Sequence, residues 1–144
     1  MNPATRPHQA APAMRVFVVE DSPIVCERLQ EMLAGIEGAC AIGAAASADA
    51  AITGILAAQP DVVVLDLHLA QGSGFDVLRA LHAQAPAIGV YMLSNFADAP
   101  YRRLASRLGA LDFFDKSTEF ERVRETLAAR ALDTIQTQPP VPTH

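Results

Sequence analysis

The stretch Val16-Phe17-Val18-Val19-Glu20-Asp21 places four apolar residues directly before two carboxylates. Three later runs of similar length also end in polar residues: 62–65 before Asp66, 90–93 before Ser94-Asn95, and 111–114 before Asp115-Lys116. Short runs rich in β-branched and aromatic residues, without alternation, are typical of strands buried on both faces of a parallel sheet. The sequence therefore predicts a parallel α/β sheet whose strands end in polar groups.

The carboxyl ends of parallel strands lie along one edge of the sheet, where open α/β proteins bind their ligands. Asp21, Asp66, Ser94 and Lys116 are therefore expected to meet in one crevice, with Glu20 as a third carboxylate. Carboxylates that lie so near to one another either raise one another's pKa or need a cation between them. Mg²⁺ suits such a place, because it binds one or two carboxylates together with waters and phosphate oxygens. This edge can therefore hold a dication and accept a phosphoryl group.

Each polar side chain at this edge has a chemical role to which it is suited. Asp66 is the best candidate nucleophile, since carboxylates form acyl phosphates. A metal held by Asp21 would neutralise phosphoryl oxygens, and Lys116 could bind another oxygen as a compact charge. Ser94 could donate a hydrogen bond to a third oxygen. A lone aspartate after a strand is more often a turn former or cap, so the prediction depends on four complementary strand ends.

Helical patterns alternate with the strands, which predicts crossover units and a total of five strands and five helices. Ser22 followed by Pro23 is a strong helix start, and Ser47 is a second candidate cap. Thr118 and Glu121 have the spacing of a capping box and are predicted to begin the last helix.

Composition indicates one domain with two tails. The chain has 144 residues, of which 51% are hydrophobic, and six of its ten prolines lie near the two ends. We expect a domain over 14–133, between disordered tails at 1–13 and 134–144, with no second domain to carry the output.

A net charge of -5 argues against a general nucleic-acid binder. The sequence has no signal-like segment and no apolar run near the ~20 residues of a membrane span, so the cytoplasm is the expected location.

Together these motifs resemble the receiver domains of response regulators in two-component signalling, over roughly 14–133. The matching segments are Val-Val-Glu20-Asp21-Ser-Pro, Val-Leu-Asp66-Leu-His-Leu, Leu-Ser94-Asn and Gly109-Ala-Leu-Asp-Phe113-Phe-Asp-Lys116. Gly74, eight residues after Asp66, also lies where the family has a glycine. In this order and spacing the set is highly specific.

The resemblance implies a flavodoxin-like, doubly wound sheet with strand order 2-1-3-4-5. It also implies a stand-alone phosphoprotein that a histidine kinase or a phosphotransfer protein phosphorylates on Asp66. Mg²⁺ would be held by Asp21, Asp66 and the backbone carbonyl of His68, with Glu20 acting through water.

The resemblance further implies a switch made of Ser94, which moves toward the phosphoryl group, and Phe113, which turns inward. The face formed by the fourth helix, fifth strand and fifth helix then changes its affinity for a downstream protein, whose identity stays open. The chain is predicted not to be an enzyme, and neither direct DNA binding nor membrane binding is expected. A homodimer through the last helices is an open alternative.

Three positions depart from the family pattern. Ala70 stands where a proline is frequent. Ser117 follows Lys116 where a cis proline is usual, which leaves open whether this peptide bond is cis or trans. Asn95 stands where a small residue is common, and the bulky Phe96 comes next. The side chains of His68 and Phe96 are predicted to flank the path of attacking water and to influence the lifetime of the phosphoryl group, in a direction that stays open.

Two other functions use related chemistry. A Mg²⁺-dependent phosphohydrolase with an aspartyl-phosphate intermediate is the main alternative, but it needs an acid two positions after the nucleophile, where this chain has His68. A flavin-binding module on the same fold would need a phosphate-binding loop after the first strand. Glu20 and Asp21 would repel a flavin phosphate there.

Overall fold

The structure is a computed structural model that describes residues 13–96 and 98–136. Strands and helices alternate along the chain in this order: β1 (Met14–Val19), α1 (Pro23–Ala34), β2 (Ala39–Ala45), α2 (Ala48–Ala58), β3 (Val62–Asp66), α3 (Gly74–Gln84), β4 (Gly89–Ser94), α4 (Ala99–Arg107), β5 (Asp112–Asp115) and α5 (Phe120–Gln136). The predicted five strands and five helices are confirmed.

The strands form a parallel sheet with the order β2-β1-β3-β4-β5, as the flavodoxin-like prediction requires. Side chains of each central strand alternate between two apolar layers. Val16 and Val18 pack with α1 and α5, whereas Phe17 and Val19 pack with α2 and α3. Burial of both sheet faces explains why the central strands are apolar without alternation.

The register of the sheet brings the polar strand ends to the same level. Val19 is paired with Leu65, so Glu20 follows β1 at the level of Asp66. Ser94, at the end of β4, is paired with Asp115 at the end of β5. The residues that follow these strands therefore share one edge of the sheet.

The first two helix starts agree with the sequence prediction. Ser22 accepts a hydrogen bond from the amide of Val25 at 3.3 Å, and Pro23 is the first helical residue of α1. Ser47 accepts from the amide of Ala50 at 3.3 Å at the start of α2. Both serines therefore satisfy amide groups that have no partner within their helices.

The predicted capping box of the last helix is wrong. Helix α5 begins at Phe120, and Thr118 lies in the turn before it. The amide of Thr118 donates to Oδ1 of Asp115 at 3.2 Å. The carboxylate of Glu119 accepts from the amide of Asp115 at 2.8 Å. Two acids that sequence reasoning had not assigned to this turn therefore fix the entry to α5, and Glu121 instead pairs with Arg124.

The predicted tail boundary after residue 133 is also wrong, because α5 continues to Gln136. The hydroxyl of Thr134 donates to the carbonyl of Arg130 at 3.0 Å, which supports the added turn. Ile135 packs so closely on Gly38 that a Cβ there would lie 2.6 Å from its Cδ1. The remaining tail predictions, 1–12 and 137–144, lie outside the described residues. Within the described ranges, no helix is both long and apolar enough to cross a membrane.

Candidate functional site

The structure brings three carboxylates together at the carboxyl edge of the sheet. Glu20 and Asp21 follow β1, and Asp66 is the last residue of β3. One carboxylate oxygen from each lies within 4.8 Å of the others. Glu20 and Asp66 are each 3% exposed, and Asp21 is half-buried. The expected convergence of the acids is therefore confirmed, while their functional roles stay predictions.

Lys116 reaches into this cluster from the loop after β5. Its Nζ lies 2.9 Å from Oε1 of Glu20 and 3.2 Å from Oδ2 of Asp66, and its side chain is 12% exposed. Its amide donates to the carbonyl of Ser94 at 2.9 Å, which ties the loop to β4. Among the described residues no peptide bond is cis, so Lys116 reaches the acids with a trans bond to Ser117.

Burial and mutual repulsion set the charge state of the cluster. Burial and the charge of Glu20 raise the pKa of Asp66 to about 6, against the opposing effects of the Lys116 ammonium and the His68 amide. Burial by itself lowers the pKa of Lys116, but contact with Glu20 and the charge of Asp66 outweigh burial and raise it. The lysine therefore stays cationic over the pH range in which Asp66 titrates.

The raised pKa of Asp66 predicts that the Asp66→Asn variant is more stable than the wild type in metal-free buffer. In the folded state this carboxyl titrates at about 6, above the value of about 4 in an unfolded chain. Its protonated form therefore favours folding, and this stability is lost as the pH rises from about 4 to 6. At pH 7.5 we expect the variant to gain roughly 2 kcal/mol in free energy of unfolding.

Urea unfolding from pH 5 to 7.5 with a chelator measures this difference. The difference in free energy of unfolding between the variant and the wild type should increase as the pH rises. A gap that is constant, or that narrows, would show that Asp66 does not carry an unfavourable buried charge.

The donor set fits a divalent cation. Among the described residues, Oε1 of Glu20 is a buried oxygen without an aligned hydrogen bond, and its close contact is the ammonium of Lys116. The pocket carries three negative charges and one positive charge when all four groups are ionised, so a dication would neutralise it. Carboxylate oxygens are the hard ligands that Mg²⁺ prefers. Glu20, Asp21 and Asp66 are the side chains that would hold it.

A cavity of about 330 Å³ lies over the acids. It is lined by Glu20, Asp21, Ser22, Val25, Asp66, His68, Asn95, Phe96 and Lys116. The amide of His68 donates to Oδ1 of Asp66 at 3.3 Å, which places the backbone of His68 at the rim of the site. His68 and Phe96 both line the cavity, and their effect on the lifetime of a phosphoryl group stays a prediction.

Ser94 and Phe113 are buried residues of β4 and β5 that lie outside the lining of this cavity. Oγ of Ser94 accepts a hydrogen bond from the amide of Phe96 at 2.8 Å. Phe113 is 4% exposed, so its ring already points into the protein. The switching roles predicted for these two residues remain predictions.

Sequence reasoning missed the contacts that surround Phe113. Nη1 of Arg102 donates to the carbonyl of Phe113 at 2.7 Å, and the guanidinium lies 5.4 Å from the centre of its ring. The same guanidinium pairs with Glu119, whose carboxylate holds the amide of Asp115. From sequence alone we expect Arg102 to lie on an exposed face of α4. No local sequence motif predicts its contacts with Phe113 and Glu119, which belong to other parts of the chain.

A family model described as the response regulator receiver domain matches residues 16–128. The chain belongs to this family. Over 100 residues it is 39% identical to protein-glutamate methylesterase/protein-glutamine glutaminase 6 of Anaeromyxobacter dehalogenans, covering 69% of this chain and 28% of that protein. It is 30% identical over 115 residues to the transcriptional regulatory protein MalR of Bacillus subtilis, covering 80% and 49%. The chain thus spans about half of the length of these relatives, or less.

Solved receiver structures have the same fold. The receiver domain of NtrX from Brucella abortus is 30% identical, with a TM-score of 0.70, and the match covers 83% of this chain and 98% of that chain. A CheY-like receiver from Methanospirillum hungatei has a TM-score of 0.76 at 17% identity, over 88% and 99%. Receiver domains in general are signalling modules that bind Mg²⁺ at an acidic pocket and are phosphorylated by histidine kinases or phosphotransfer proteins.

Proposed function

We propose that this receiver accepts a phosphoryl group on Asp66 in a Mg²⁺-dependent reaction, with a histidine kinase or a phosphotransfer protein as donor. The observation that carries the proposal is the buried cluster of Glu20, Asp21 and Asp66, with Lys116 in contact with two of the acids. Three acids in one place are costly for folding, and this cost has a function if a dication and a phosphoryl group bind there.

Each group in the cluster has a part in the transfer. An oxygen of Asp66 attacks phosphorus while the bond from phosphorus to the donor nitrogen breaks. A bound Mg²⁺ would neutralise charge on the phosphoryl oxygens. Asp21 and the backbone carbonyl of His68 join Asp66 as its proposed ligands, and Glu20 acts through water. Lys116, whose Nζ lies 3.2 Å from Oδ2 of Asp66, would contact a phosphoryl oxygen.

The proposed output is a change in protein contacts rather than catalysis by this domain. Ser94 would turn from the amide of Phe96 toward the phosphoryl group, and Phe113 would adjust on the face formed by α4, β5 and α5. We propose that this exchange takes place in the cytoplasm, and we expect a downstream protein target with no direct contact to DNA or membrane. The residue two positions after Asp66 is a histidine, which does not favour the phosphohydrolase alternative.

Incubation of the wild type with acetyl phosphate tests the proposal. In MgCl₂ we expect the intact mass to rise by one phosphoryl group, and the adduct should be stable in acid and labile in base. In a chelator the adduct should be strongly reduced, because the acidic cluster then lacks its cation. Equal labelling with and without Mg²⁺, or no labelling at all, would contradict the proposal.

A further inference from the structure

The turn after β5 is organised by the carboxylate of Asp115, the last residue of that strand. Its Oδ1 accepts hydrogen bonds from the amide of Ser117 at 2.9 Å, from the hydroxyl of Ser117 at 2.7 Å and from the amide of Thr118 at 3.2 Å. The hydroxyl and the amide of Ser117 lower the pKa of Asp115, so the acceptor is ionised in neutral buffer. One oxygen therefore fixes the backbone of both residues that follow Lys116.

The backbone of Asp115 is held by contacts with the start of the last helix. Its amide donates to Oε1 of Glu119 at 2.8 Å, and its carbonyl accepts from the amide of Glu119 at 2.8 Å. The next amide, that of Lys116, donates to the carbonyl of Ser94 at 2.9 Å. The main chain of Lys116 is therefore tied to β4 on one side and to the Asp115 carboxylate on the other.

The position of the Lys116 ammonium depends on this fixed backbone. A lysine side chain is a flexible stem of four carbons, so an ammonium held between two acids needs a fixed point of attachment. Ser117 contributes directly, because a proline, which is usual at this position in the family, has no amide hydrogen to donate to Asp115. The contacts of Asp115 therefore use a residue at which this chain departs from the family pattern.

We propose that Asp115 is a positioning residue, whose carboxylate holds the loop that carries the Lys116 ammonium into the acidic cluster. Its part in phosphoryl transfer rests on the proposed function, whereas its hold on Lys116 does not. Asp115 lies outside the lining of the cavity over the acids, so it acts through Lys116. Without this acceptor the loop loses three hydrogen bonds, and the ammonium spends less time on the acids.

Lys116 is the only lysine in the sequence, which makes its amine a direct probe of where the side chain lies. Acetylation by N-hydroxysuccinimidyl acetate needs a free, accessible amine, whereas the Lys116 side chain is 12% exposed and contacts two carboxylates. The acetylation ratio is the rate at Lys116 divided by the rate at the α-amino group of the same molecule. Mass spectrometry measures it in chelator at pH 7.5, so this readout needs neither Mg²⁺ nor phosphorylation.

We expect Asp115→Ala to raise the acetylation ratio by about tenfold, the equilibrium effect of losing one or two hydrogen bonds. Asp115→Asn keeps a carbonyl oxygen as acceptor and should stay near the wild-type ratio. Asp49→Ala removes an exposed carboxylate from α2 and is the matched control, with no change expected. In MgCl₂, Asp115→Ala should also lower the rate of labelling by acetyl phosphate by roughly threefold to tenfold.

An unchanged acetylation ratio in Asp115→Ala would overturn the proposal, and so would a rise in Asp115→Asn as large as that in Asp115→Ala. If Asp115→Ala does not fold, Ser117→Ala takes its place, because it keeps the carboxylate and removes one donor. Its ratio should rise by about twofold to fivefold, and no rise would overturn the role. If the ratios change as expected but acetyl phosphate does not label the wild type, Asp115 positions Lys116 and the proposed function fails.

Discussion

The Asp66→Asn variant is expected to lose the phosphoryl adduct, with a rate of labelling by acetyl phosphate lower by roughly a thousandfold or more. An amide has nearly the shape of a carboxylate but cannot form an acyl phosphate under these conditions. Asparagine can still accept a hydrogen bond from the His68 amide, so the loop after β3 should keep its place. The loss would therefore report chemistry rather than unfolding, and intact mass spectrometry measures it.

Asp49→Asn is a matched control for this variant. Asp49 is an exposed acid in the first turn of α2, and its substitution removes the same charge without touching the cluster. We expect full labelling of Asp49→Asn. If Asp66→Asn is labelled as fully as the wild type, the phosphoacceptor is a residue other than Asp66.

Substitution of Lys116 by methionine is expected to give the largest loss of stability. Its ammonium contacts Glu20 and Asp66, whose side chains are 1% and 4% exposed. Removing one partner from a buried ion cluster typically costs about 3–5 kcal/mol, because the remaining charges stay unpaired. We expect a loss near the lower end of this range in metal-free buffer, since the Asp66 carboxyl, whose pKa is already raised, can take up a proton. Urea unfolding at pH 7.5 measures the loss.

Two comparisons separate this effect from the loss of an ordinary ion pair. Arg124→Met removes the partner of Glu121 on the surface of α5 and should cost far less than Lys116→Met, because an exposed ion pair contributes little to stability. Adding Asp66→Asn to Lys116→Met should recover part of the lost stability, because one unpaired charge is removed. If Lys116→Met costs no more than Arg124→Met, the cluster does not have the electrostatics described above.

Residue patterns predicted much of the fold and the convergence of the acids. The apolar run from Val16 to Val19 indicates a doubly buried strand, and parallel strands place Glu20, Asp21 and Asp66 at one edge. Those inferences need only the pattern of apolar residues in each run and the rule that the carboxyl ends of parallel strands share one edge of the sheet. The strand order came from the resemblance, because the periodicity of single elements does not specify which strands are neighbours.

The contacts that sequence reasoning missed depend on residues far apart in the chain. Thr118 and Glu121 satisfy the spacing of a capping box, yet the carboxylate of Asp115 accepts the Thr118 amide instead. Local spacing cannot decide between acceptors that compete for one donor. Arg102 likewise has no sequence signal for its partners, since the carbonyl of Phe113 is supplied by another element. The orientation of Ser94 toward the Phe96 amide is also set by the folded loop.

Borohydride reduction of the phosphorylated protein, followed by peptide mass spectrometry, tests the central claim most directly. The reagent converts an aspartyl phosphate to homoserine and so marks the acceptor permanently. Cleavage after arginine releases Asp66 within residues 29–79, and fragmentation then separates it from Asp49, Asp61 and Asp76. The account predicts homoserine at position 66, formed in Mg²⁺ and strongly reduced in chelator. Reduction at another aspartate, or labelling indifferent to the metal, would contradict it.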